Sequence, residues 1–153
     1  MALSPVHIAI LLPLVVALPA ILVTIVVHAI ALVAIVHFVR GQRRSGRVGA
    51  GFWTNLTIAA AIQIALTAHL LEIAIWALIF VACGEFTSFP SALYHSAVNY
   101  TSLGYGEVVM STSWRLLGPI EATNGMLLFG VSTAMIFAVT QRLLEGRFAD
   151  LKD

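Results

Sequence analysis

Charge is what this sequence has least of. Among 153 residues there are 8 Lys and Arg, 7 Asp and Glu, and 60% of the chain is hydrophobic. An ordinary soluble domain is about a quarter charged and about half apolar. At 10% charged and a mean hydropathy of +0.99, a soluble globular fold is excluded, and lipid is the solvent for most of the chain. A net charge of +1 offers no surface for nucleic acid. The single cysteine, Cys83, excludes an internal disulfide and a thiolate-only metal site. No phosphate loop, nucleophile–base pair or metal-ligand cluster is apparent, so neither an enzyme nor a cofactor is expected.

Long uncharged runs are what it does have. From Met1 to Val39 there is no Lys, Arg, Asp or Glu. Fully helical, that stretch is ~58 Å long against a hydrocarbon core of ~30 Å, which suits one span with an apolar lead. Pro13 and Pro19 fall in the lead, since each removes a backbone donor, and the span proper is expected over Ala20–Val39. A second run, Phe52–Cys83, is interrupted only by Asn55, Gln63, His69 and Glu72, and a third covers Leu116–Thr140. Between the first two lies Arg40–Arg47, with four arginines. Short basic loops stay cytoplasmic. The amino terminus is therefore expected outside, residues 85–115 outside, and the tail with Arg142, Arg147 and Lys152 inside, in an integral protein of the cell membrane.

The segment Phe89–Tyr100 is too apolar for an ordinary loop and too short to span. A helix starting at Pro90 or Ser91 and ending at Tyr100 crosses half a bilayer. Poor helix material follows at once, Thr101-Ser102-Leu103-Gly104-Tyr105-Gly106-Glu107. Irregular backbone at membrane depth is tolerated only inside protein or along a water-filled cavity, so these residues read as a re-entrant hairpin.

The pattern T-x-G-Y-G followed by an acid, set after a half-helix and between two spans, resembles the pore region of the potassium-channel superfamily. The likeness runs from Phe52 to about Leu143. It implies an all-α membrane protein of three transmembrane helices, a re-entrant pore helix and a selectivity filter, assembled as a homotetramer in the lipid bilayer. It implies dehydrated K+ held by the carbonyls of Ser102, Leu103, Gly104 and Tyr105, with the Ser102 hydroxyl at the inner end. Carbonyls that all point one way need alternating signs of φ, which Gly104 and Gly106 allow at little steric cost. Thr101, Gly106, Glu107, Tyr94 and His95 are the expected filter supports. Tyr94 is expected to reach Glu107, and His95 to bond the Tyr105 hydroxyl. Gly125 fits the inner-helix hinge of the family, and Asn124 and Thr133 are candidates to line the cavity. Ser102 and Leu103 depart from the commoner Thr and Val, which keeps a weakly selective monovalent cation channel open as an alternative. A non-conducting assembly subunit with a pore-like hairpin is the other.

The chain thus divides into an extra N-terminal helix with its Arg-rich loop (1–51), a pore domain (52–143) and a short tail (144–153). Within the pore domain the outer helix is expected over 52–84, the pore helix over 90–100, the filter over 101–107 and the inner helix over 115–143. The first helix lacks the arginine series of a voltage sensor, and the tail is too short for a gating domain. His69 and Glu72, three apart on one helix, form an intramembrane polar pair, either an internal brace or a pH-sensitive element. A bis-histidine haem site joining His28 to His69 finds no supporting motif.

Overall fold

The computed structural model describes residues 5–46 and 51–149, with side chains described for 10–46 and 51–145. The expectations for Arg47 and Lys152 fall outside the described residues. Four helices follow in order: α1 (Pro5–Arg44), α2 (Gly51–Ala82), α3 (Phe89–Tyr100) and α4 (Leu117–Ala149). Among the described residues there is no strand.

α1 corrects one expectation. It is a single helix of 40 residues that runs unbroken through Pro13 and Pro19, so the apolar lead is continuous with the expected span Ala20–Val39. In hydrocarbon the backbone has no partner except itself, so a proline is absorbed into the helix instead of ending it. The buried positions of α1, Pro13, Ala17, Ala20, Thr24, His28 and Ile35, fall on one stripe at spacings of three, four and seven. Their small size lets α1 lie close against α2 and α4 of its own chain.

α2 ends where Gly84, with φ of 76°, turns the chain into the left-handed region, and the Glu85 amide closes the end on the Phe80 carbonyl at 3.1 Å. The chain then enters α3, whose start is capped by Ser88, with Pro90 in the first turn. α3 packs against α2 and α4. Trp76, Phe80, Ala92, Tyr100 and Leu117, all fully buried, form the core there. A second cluster, Ile35, Ala61, Ala65, Val139 and Leu143, binds α1, α2 and α4. Three helices are long and apolar enough to cross a membrane. Their outward residues, Leu18, Leu22, Ile30, Leu70, Leu78 and Phe137 among them, are exposed hydrophobics suited to lipid.

Candidate pore and buried polar ring

The irregular strand after α3 has a defined backbone. φ is positive at Ser102 (59°), Gly104 (58°) and Gly106 (75°), so the sign alternates through the motif. Gly104 and Gly106 carry this without penalty. Ser102 is the one non-glycine residue described with positive φ, a conformation in which a β-branched side chain is a genuine outlier. That gives a backbone reason for serine here.

The amides of the strand fold back onto the end of the half-helix. Thr101 N–H donates to Ala97 O at 3.1 Å, Ser102 N–H to Asn99 O at 2.8 Å, and Leu103 and Gly104 N–H both to Val98 O at 2.9 and 3.3 Å. The Thr101 hydroxyl adds a bond to Ala97 O at 2.7 Å. Among the described residues, no hydrogen bond ends on the carbonyl of Ser102, Leu103, Gly104 or Tyr105. The whole stretch from Thr101 to Val109 is exposed in the single chain, Leu103 by 55% and Tyr105 by 62%. Leu103 and Tyr105 thus present an apolar and an aromatic side chain at the surface of the single chain.

The supports are partly as expected. The Tyr94 hydroxyl donates to Glu107 Oε2 at 3.0 Å, and that bond holds the phenol above its ordinary pKa, so it stays a donor across physiological pH. His95 differs: within the chain it accepts from Asn99 Nδ2 at 2.9 Å and packs between Phe80 and Phe86, not on the Tyr105 hydroxyl. Its burial beside two aromatic rings turns it into the hairpin. Past the motif, Glu85 receives the Ser111 amide at 2.6 Å and the Ser111 hydroxyl at 2.7 Å, which ties the returning strand to the end of α2. Ser96 Oγ lies 2.5 Å from Glu121 Oε1, joining α3 to α4. The Glu85 and Glu121 contacts left no trace in the sequence, because their partners are distant in the chain.

Gly125 lies in an uninterrupted stretch of α4, and a Cβ placed there would stand 2.3 Å from the Tyr100 carbonyl oxygen. Close backbone approach therefore requires glycine at this position, whether or not the helix bends. Asn124 is buried and donates to Thr24 Oγ1 on α1 at 2.9 Å. It faces α1, which corrects its assignment to a cavity wall. Thr133 is exposed and bonds its own helix at Phe129 O.

Beneath the half-helix, all four helices contribute to one buried polar cluster. Glu72 bridges two imidazoles: Oε1 lies 3.0 Å from His28 Nδ1 and Oε2 3.1 Å from His69 Nδ1. Ser132 Oγ bridges the same two on their other edge, 3.0 Å from His69 Nε2 and 3.2 Å from His28 Nε2. The Tyr100 hydroxyl donates to Glu72 Oε2 and lies 3.1 Å from His69 Nδ1. All five side chains are buried. The pairing of His69 with Glu72 was legible at i,i+3, and the bracing to the half-helix is realised through Tyr100. His28, Tyr100 and Ser132 join from three other helices. The imidazole rings sit 5.1 Å apart and share both a carboxylate and a hydroxyl, which leaves no slot for a haem between them.

The family model described as "Ion channel" matches residues 68–142, a stretch that holds the polar ring except His28, α3, the 101–107 strand and Gly125. Neither the curated proteins nor the solved structures yield a match.

Proposed function

We propose that this chain, whose residues 68–142 match the ion-channel family model, is a pore-forming membrane protein in which four copies enclose a potassium-selective pore lined by Ser102–Tyr105. One observation carries the reading. The strand directs its amides inward to α3, leaves four successive carbonyls without partners, and alternates the sign of φ. Such carbonyls replace the hydration shell of a cation, whose removal costs tens of kcal/mol if nothing takes its place.

One chain supplies only one wall of such a cage. The exposure of Leu103 and Tyr105 in the single chain is the surface that neighbouring copies cover. α3 points its carboxyl end toward the strand, so four such ends each direct about −0.5 charge at the axis below the filter. In this reading Tyr94, Glu107 and Thr101 hold the strand, Gly106 lets it turn outward, and K+ is both cargo and ligand. The arginine loop supports an amino terminus outside and a carboxyl terminus in the cytoplasm of a cell-membrane protein.

The test is flux. Purified protein in vesicles is expected to take up rubidium and to be blocked by barium, with bi-ionic reversal potentials favouring potassium over sodium. Equal permeability to the two ions identifies the weakly selective pore instead, and no uptake identifies an assembly subunit.

A further inference from the structure

The buried ring of His28, His69, Glu72 and Ser132 has the donor set and the supporting shell of a metal centre. We propose that it binds one zinc ion per chain, through one ring nitrogen each of His28 and His69, a carboxylate oxygen of Glu72 and the Tyr100 oxygen. The three histidine and carboxylate ligand atoms lie within 4.8 Å of one another. In a tetrahedral zinc site with bonds of about 2.0–2.1 Å, ligand atoms stand ~3.3 Å apart. His28 Nδ1 lies 3.0 Å from Glu72 Oε1, and His69 Nδ1 lies 3.1 Å from Oε2 and 3.1 Å from Tyr100 Oη. Turning the carboxylate so that one oxygen serves both imidazoles, and drawing the two Nδ1 atoms together, are the remaining adjustments.

The second layer fits as well. Metal-bound imidazoles donate their other N–H to a fixed acceptor, which sets the tautomer. Here both Nε2 atoms already meet one acceptor, Ser132 Oγ, whose two lone pairs can take both hydrogens. Charge balances without any outside group. With the ion bound, Zn2+, Glu72 carboxylate and Tyr100 phenolate sum to zero. Two imidazoles with two single oxygens suit zinc rather than calcium or magnesium, which take six or more oxygen ligands. The same two-histidine, one-carboxylate set holds iron where positions stay open to substrate. This one is closed by Tyr100 and by Phe129, whose ring lies 4.2 Å from that of His69, so the role is structural. Zinc here clamps α1 to α2 and fixes Tyr100, the residue just before the filter strand.

The experiment uses the full chain in detergent without a polyhistidine tag and needs no ion conduction, so it stands apart from the flux assay. Zinc-supplemented expression followed by elemental analysis is expected to give one zinc per chain. Cobalt(II) added to chelator-stripped protein is expected to give the visible absorption of a tetrahedral site. His28→Ala and Glu72→Gln, checked for helical content, are expected to lose both signals. Ser132→Ala, which keeps every ligand, is expected to bind 10–100-fold more weakly. Folded wild-type protein with neither stoichiometric zinc nor the cobalt band overturns the site and leaves a proton-held network. Unchanged metal content in His28→Ala and Glu72→Gln overturns it too, since the ion then sits elsewhere.

Discussion

At the residue scale, Gly125 separates two accounts of an inner-helix glycine. A hinge glycine tolerates alanine with altered gating, whereas a glycine whose added Cβ would stand 2.3 Å from a backbone oxygen does not tolerate it without movement. Gly125→Ala is expected to destabilise the protein by about 1–3 kcal/mol or more, as overpacking does, and to weaken assembly, because the displaced atom belongs to the residue before the filter. Gly41→Ala is the control. It lies in α1 with nothing within 4 Å of the added carbon and is expected to stabilise by ~0.5–1 kcal/mol. Thermal melts and cross-linking of the two variants check this, and equal melts contradict it. The glycines of the filter motif were legible because positive φ has a sequence signature. Gly125 was legible as a position but not as a contact, and the positive φ of Ser102 left no trace, since serine signals nothing about φ.

At the scale of elements, α1 is the part that the pore motif does not explain. Its docking rests on a stripe of small residues and on the buried bond from Asn124 to Thr24. Hydrogen bonds between membrane helices contribute about 0.6 kcal/mol on average and at most ~1.7. A double-mutant cycle of Thr24→Val and Asn124→Leu is expected to yield a coupling in that range. Additive effects contradict the α1–α4 contact. The three spans and the half-helix could be read from hydropathy, Pro90 and the arginine loop. The start of α1 could not, because proline breaks helices in water and not in lipid packed against protein. The partners of Asn124, Glu121 and His28 could not be read either, since each contact joins helices from 25 to 100 residues apart.

At the scale of the whole molecule, the polar ring and aromatic core are closed within the single chain, whereas the segment from Thr101 to Val109 is exposed. The proposed ring of four copies around that segment is expected to cover its apolar side chains and to give its unpartnered carbonyls a common ligand. The most direct test of this account is a structure of the particle in lipid, in potassium and again with potassium replaced by lithium. The expected result is fourfold symmetry with density on the axis between the Ser102 and Tyr105 carbonyls that fades when potassium is removed. A monomeric or dimeric particle, or a tetramer whose 102–105 carbonyls turn away from the axis, contradicts it.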